Sequence, residues 1–383
     1  MSAAKWRRAM NSSNGAAMPL RPLPAVGVRT VEPAPAPDPY ADSNAPRWLK
    51  FLWRTLSPRH VFVLAFVLLL PFVASPFITF QVASQALIFG LIALSLSFLA
   101  GYGGMVSLAQ MSVAGMAGYA VAVLGSSGTA TSLGWPWGVV VPLALLIAVV
   151  CSTLIGWLSV RTDGIYTIMI TLAIGVAFYY LVLQNYTVFN GFQGFQKVYP
   201  PTVFDIHWRD PLPFYFLCLF WALAGYLLVK WLVRTPFGIA LQGTRDNARR
   251  MASLGFDVTA HRVAAYAVSG LLAGVGGVLL VWYNGLITPG SVGTGWLINV
   301  LVIAVLGGLK HPIGAFLGAI VFILLQTFAI DVIDRERFNL VIGGVFLAIV
   351  LFSPDGLLGL WAMLRSRFGP NQVLLSSTTR RHP

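Results

Sequence analysis

Little in this sequence has the residue types and spacing that chemistry requires. The five histidines, His60, His207, His261, His311 and His382, stand in separate loops without metal-ligand spacing. Cys151 and Cys218 each sit inside an apolar run, so neither a metal centre nor a disulfide framework is expected. A loop that wraps phosphates needs Gly-Lys-Ser/Thr, and no lysine here follows a glycine, so no ATP site and no other cofactor site is expected. The twelve acidic residues fall in loops, tails or the edges of apolar runs, which argues against a proton- or sodium-coupling carboxylate inside a span.

Three stretches could still recognise something. "RTPFGIALQGTRDNARRMASLGFDVTAHRVAAYAVSG", residues 234–270, has a helical grammar. Thr235-Pro236 is an N-cap followed by proline, a second start falls at Thr244 with Asp246 in its first turn, and Leu254-Gly255 is a stop. Leu241, Ala248, Met251 and Ala252 can share one side while Arg245, Arg249 and Arg250 point elsewhere. Either this is a solvated connector or it is a docking helix. In "AGYGGMVSLAQMSVAG", 100–115, Gly101 and Gly104 accompany Ser107, Gln110 and Ser112, a mixture that suits close helix packing or a polar translocation path. "YTVFNGFQGFQ", 186–196, reads as a polar turn with aromatic interface anchors, or as a rim in which Asn190, Gly191 and Gly194 meet a partner.

The elements that must position these stretches are membrane spans. Hydrophobic residues make up 57% of the chain, charged residues only 10%, and the mean hydropathy is +0.78. That composition excludes an ordinary soluble enzyme and predicts an all-α polytopic membrane protein. Apolar runs near the ~20 residues needed to cross a bilayer predict about ten full or partial spans. These lie near 61–80, 82–100, 105–124, 138–160, 164–184, 213–233, 260–285, 296–309, 312–330 and 338–352. The runs 296–309 and 338–352 are short enough to be half-helices or parts of a broken span.

Charge sets the expected orientation. With the N-terminus inside, 21 of the 25 Lys and Arg residues fall on the cytoplasmic side. Lys197, Arg209, Arg335 and Arg337 remain outside among five acidic residues. Both termini are therefore expected in the cytoplasm, and 234–259 becomes a cytoplasmic loop. The basic balance fits an anionic inner leaflet and gives no reason to expect nucleic acid. Before the spans, 1–44 is Pro-, Ala- and Arg-rich, lacks a signal-peptide core, and reads as a disordered cytoplasmic arm. Residues 45–60 read as a basic amphipathic helix on the membrane surface. After the spans, 361–383 reads as a cytoplasmic tail.

The sequence of 235–280, "TPFGIALQGTRDNARRMASLGFDVTAHRVAAYAVSGLLAGVGGVLL", resembles LivM-type permeases, the membrane subunits of branched-chain amino-acid ABC importers. "GYGGMVSLAQMSVAGMAGYAVAVL" at 101–124, "GIYTIMITLAIGVAF" at 164–178, "VLGGLKHPIGAFLGAIV" at 305–321 and "SPDGLLGL" at 353–360 extend the resemblance from about residue 81 to 360. It departs from the family pattern at Asp246-Asn247-Ala248 and at Arg249-Arg250, where a more acidic, alanine-rich run is expected. The resemblance implies a bacterial inner-membrane transport subunit without enzymatic activity. Its implied partners are ATP-binding subunits, a second permease subunit and an extracytoplasmic solute-binding protein. In such a system closure of the ATP-binding subunits would push on the 236–255 helix, making Arg245, Asp246, Arg249, Arg250, Met251, Leu254 and Gly255 the expected coupling residues. The competing readings are a stand-alone channel or secondary carrier for a small neutral solute such as urea and, more distantly, a scaffold without transport.

Overall fold

A computed structural model describes residues 75–126, 132–162, 164–201 and 208–332, with 68–69, 71, 343–344, 347 and 356–359. The arm 1–44, the 45–60 helix and the 361–383 tail lie outside the described residues, as does most of the expected spans 61–80 and 338–352.

Helices dominate. The first, α1 (Ile78–Gly103), is π-helical over Ile78–Ser84 and continues without a break. The apolar runs near 61–80 and 82–100 were expected as two separate spans meeting at about residue 81. In the structure Ser84 returns its hydroxyl to the Thr79 carbonyl at 3.0 Å, and the helix runs through. Then come α2 (Gln110–Leu124), α3 (Trp137–Ser159), α4 (Ile165–Gln184) and the single turn α5 (Tyr186–Phe189). They are followed by α6 (Pro211–Leu232), α7 (Pro236–Ser253), α8 (Val258–Asn284), α9 (Thr294–Gly307) and α10 (Pro312–Val332). From α3 onward the expected spans and the helices agree to within about two residues at each boundary.

Among the described residues five helices, α1, α3, α4, α6 and α8, are long and apolar enough to cross a membrane. The pair α9 and α10 makes a sixth if counted as one span, bent by 117° at residues 308–311. The short run expected near 296–309 is thus one arm of a broken span. The helix α2 is shorter than expected because residues 104–109 are not helical. Strand is confined to a two-residue ladder, β1 (Phe195–Gln196) antiparallel to β2 (Leu286–Ile287).

The core is built around α1 and α8, whose faces are the most buried, with α3, α4 and α6 more exposed. Small residues permit the contacts. A Cβ on Gly277 of α8 would overlap the Ala114 carbonyl of α2, and one on Gly307 of α9 would overlap the Gly314 carbonyl of α10. Gly156 abuts Tyr266, Gly101 abuts Leu309 and Lys310, and Gly238 abuts Val233. These contacts bring the ends of α1, α3 and α6, the start of α8, and the α9–α10 turn to one end of the bundle. That end carries Arg161, Lys230, Arg234, Arg245, Arg249, Arg250, Arg262 and Lys310. The two-stranded ladder, Lys197, Arg209 and Asp210 lie at the other.

Candidate functional site

The helix α7 is built as its sequence suggests at both ends and differently in the middle. Thr235 caps it, its hydroxyl accepting from the Gly238 N–H at 3.4 Å, with Pro236 in the first turn. Gly238, Ala240, Leu241 and Thr244 are buried. The helix then breaks at Asn247 (φ −157°, ψ 93°), whose Oδ1 accepts from the Arg250 N–H at 2.9 Å. Asn247 is therefore the cap of a second helical segment ending at Ser253. The sequence reading put that start at Thr244, whose hydroxyl instead turns back to the Leu241 carbonyl at 2.7 Å.

At the far end Gly255 is left-handed (φ +87°). Its N–H meets the Ala252 carbonyl at 3.0 Å, and the Phe256 N–H meets the Met251 carbonyl at 3.1 Å, which makes a Schellman stop. Met251 folds over Gly243, where an added Cβ would lie 2.8 Å from its sulfur. Ala248 is half-buried and Ala252 exposed. Beyond the kink Arg249 and Arg250 are exposed, beside Leu254 at 67% and Phe256 at 42% exposure. Phe237 stacks on His261 at 5.8 Å and Phe256 meets the same ring edge-on, so both ends of α7 rest on the start of α8.

Arg245 separates from the other two arginines. Its Nη1 donates to the Gly101 carbonyl, one of the carbonyls left unpaired at the end of α1. Its stem covers Gly104, a left-handed residue (φ +69°) where a Cβ would come 2.6 Å from Arg245 Cγ. Nη2 and Nε also reach Asp246 Oδ1 at 2.8 and 2.9 Å. A cation thus sits at the negative end of the α1 dipole. Gly101 in turn packs against the α9–α10 turn, since a Cβ there would overlap the Leu309 carbonyl. No sequence signal marked Arg245 as facing inward, because its spacing matches that of its exposed neighbours.

Ser107, Gln110 and Ser112 are buried. The Gln110 carboxamide lies 3.1 Å from Ser95 Oγ and 3.0 Å from Ser269 Oγ, joining α2 to α1 and α8. The Ser95 and Ser269 hydroxyls can also donate, to the carbonyls of Ile92 at 2.6 Å and Ser95 at 3.1 Å. With one proton per hydroxyl, the amide NH₂ is best turned toward both oxygens. Ser112 Oγ lies against Gly175 of α4, and the Leu108 N–H donates to Thr171 Oγ1 at 3.1 Å. These residues sit in helix packing. A nearby cavity of about 10 Å³, lined by Met111, Gly115, Gly277, Val281 and Val292 among others, has room for one water.

At the opposite end Asn190 is left-handed and donates through Nδ2 to the Gly194 carbonyl at 2.7 Å. Gly191 packs under the Tyr186 ring, and a Cβ on Gly194 (φ +63°) would overlap the Ile287 carbonyl of β2. The 190–194 turn is therefore locked onto the loop that follows α8, with Phe192 at 74% exposure at its tip. Arg209 lies over the Tyr199 ring at 4.0 Å beside it. Among the described residues no group of three His, Cys, Asp or Glu could hold a metal.

A helical bundle with several apolar spans, one of them broken, and a kinked polar helix at its basic end has the architecture of a multi-pass membrane transport subunit. The sequence profile of the branched-chain amino acid transport system / permease component family matches residues 78–350, and the chain belongs to that family. It is 25% identical over 301 residues to the high-affinity branched-chain amino acid transport system permease protein LivM of Salmonella typhimurium, covering 73% of this chain and 69% of that one. The Escherichia coli LivM is 25% identical over 313 residues, 75% of this chain and 72% of its own length. BraD of Pseudomonas aeruginosa, a permease protein of the same kind of system, is 29% identical over 134 residues, 34% of this chain and 43% of BraD. No solved structure matches. The chain is a transport permease subunit, and the channel and carrier readings give way to that.

Proposed function

We propose that this chain is one half of the translocation pore of a binding-protein-dependent importer in a bacterial inner membrane, passing a branched-chain amino acid or a related small zwitterionic or neutral solute. ATP hydrolysis takes place on partner subunits, which dock on α7. A second permease subunit completes the pore, and an extracytoplasmic binding protein delivers solute to the rim around 190–194. Both termini and α7 face the cytoplasm, in keeping with the basic residues at that end.

The observation that carries this reading is the form of α7. Its first half is buried against the bundle, while its second half projects Arg249, Arg250, Leu254 and Phe256 beyond a kink. An apolar pair flanked by cations, held on a rigid base, suits a groove on a soluble partner. The substrate class rests on the relatives named above.

Leu254→Asp tests it. A buried charge in such an interface costs about 2–5 kcal/mol, so the ATP-binding subunit should no longer co-purify and uptake per inserted molecule should collapse, with insertion unchanged. Normal co-purification and normal uptake would remove the docking role.

A further inference from the structure

The amide of Asn299 stands in the wrong place for a lipid-facing residue. It lies in the first half of α9, "TGWLINVLVIAVLG", which is otherwise apolar after its first residue. Neighbouring contacts fix its depth. Trp296 stacks on Phe89, near the middle of α1, with ring centres 4.9 Å apart, and Leu297 packs on Gly175, near the middle of α4. Asn299 is therefore close to half-way through the bundle. Its side chain is half-exposed, and no hydrogen bond reaches it among the described residues.

The surroundings narrow what can cover it. Gly295, one turn earlier, shares its face and is exposed, and Thr294 and Ile298 are exposed on the adjoining face, Ile298 to 48%. A Cβ built on Gly295, one turn before Asn299, meets nothing within 4 Å, so the space beside the amide is open. The chain leading into α9, residues 285–293, is largely outside α-helix and runs inward to this depth. Backbone of that kind is tolerated at mid-membrane where protein or a water-filled cavity covers it. An amide left in hydrocarbon would cost several kcal/mol.

We propose that Asn299, with the open space at Gly295 beside it, forms a contact for the transported solute half-way along its path. This rests on the importer reading above and adds a place and a residue to it. A carboxamide both donates and accepts, so it can meet the carboxylate or the ammonium group of an amino acid without adding a charge that would trap it. The exposed Ile298 on the adjoining face offers an aliphatic surface to an aliphatic side chain. The ligand class is therefore an α-amino acid zwitterion with an apolar side chain.

The test uses the full chain, assembled with its second permease, ATP-binding subunits and binding protein in proteoliposomes. Asn299→Leu should lower uptake of radiolabelled leucine by about tenfold, the effect of one lost hydrogen bond to a charged group. Complex yield and ATPase activity stimulated by loaded binding protein should stay near wild type. In a background with Cys151→Ala and Cys218→Ala, Asn299→Cys should react with a small water-soluble methanethiosulfonate, and leucine should slow the reaction.

Wild-type uptake in Asn299→Leu would overturn the proposal. So would a cysteine that stays unreactive while Phe192→Cys at the rim is modified. Separation of the two permease subunits in Asn299→Leu would overturn it as well, by assigning the amide to a subunit contact. A wild-type complex that takes up no leucine with Asn299→Cys still water-accessible would count against the substrate reading and the solute contact. An absence of any uptake with ATP-binding subunits that never associate would instead be a failure of the importer reading.

Discussion

Replacing Arg245 by methionine separates docking from transmission. Methionine keeps an apolar stem over Gly104 and removes the guanidinium that holds the Gly101 carbonyl. A hydrogen bond from a charged donor contributes about 1.5–3 kcal/mol, and a cation at a helix C-terminus adds about 0.3–1 kcal/mol. The Arg245 side chain is 37% exposed, so water competes, and about 2 kcal/mol is a fair net value. At about 1.4 kcal/mol per factor of ten, the balance between α7 attached to α1 and α7 detached shifts about 30-fold. The exposed Asp246 pair adds little. In the reconstituted complex, Arg245→Met should still co-purify with the ATP-binding subunit and hydrolyse ATP when loaded binding protein is added. Solute moved per ATP should fall several-fold, and Arg245→Lys should recover part of it. An unchanged ratio would refute the transmission argument. Loss of the ATP-binding subunit, as expected for Leu254→Asp, would make Arg245 a docking residue instead.

Two further outcomes bear on the other end of the bundle and on its orientation. Gly194→Ala places a Cβ on the Ile287 carbonyl at a left-handed backbone, a strain of about 1–3 kcal/mol; insertion should be normal while stimulation of ATPase activity by loaded binding protein drops, and full stimulation would remove the rim from that contact. In a cysteine-free background, Phe192→Cys should react with an impermeant maleimide in intact cells and Ser253→Cys only after permeabilisation; the reverse pattern would invert the orientation and take α7 away from the ATP-binding side.

The membrane spans were legible because burial in hydrocarbon imposes one simple requirement, a long apolar run, and from α3 to α10 helix boundaries follow those runs. The ends of α7 were legible for a different reason: Thr235-Pro236 and Leu254-Gly255 encode caps in the local chain. What stayed hidden depends on neighbours distant in sequence. Arg245 and Arg249 have equal standing on a helical wheel, and only the kink at Asn247 and the unpaired carbonyl of Gly101, 144 residues earlier, distinguish them. Gln110 suited close packing or a path in the sequence, and its neighbours Ser95 and Ser269, on two other helices, are visible only in the fold. Asn299 drew no notice because one amide hardly alters the hydropathy of a 14-residue helix. The β1–β2 ladder, two residues a side, has no pattern that sequence reading could detect.

The contacts around Gly101 connect the two places where function is proposed. Arg245 grips the carbonyl of Gly101 from one side, and the α9–α10 turn at Leu309 presses on the same residue from the other. Beyond that turn, Gly307, Gly314 and Gly318 bring the two arms of the broken span into backbone contact, so α9 and α10 cannot slide past each other without overlap. The helix α9 is about 21 Å long at 1.5 Å per residue, rigid, and carries Asn299 in the half remote from that turn. A displacement of α7 that keeps its hold on α1 must therefore either open the packing at Leu309 or carry α9 with it. Opening that packing exposes the backbone carbonyls of the turn, whereas moving α9 leaves these contacts intact. The same interruption that leaves α9 a half-length arm thus gives a push at the basic end a short mechanical route to the middle of the membrane.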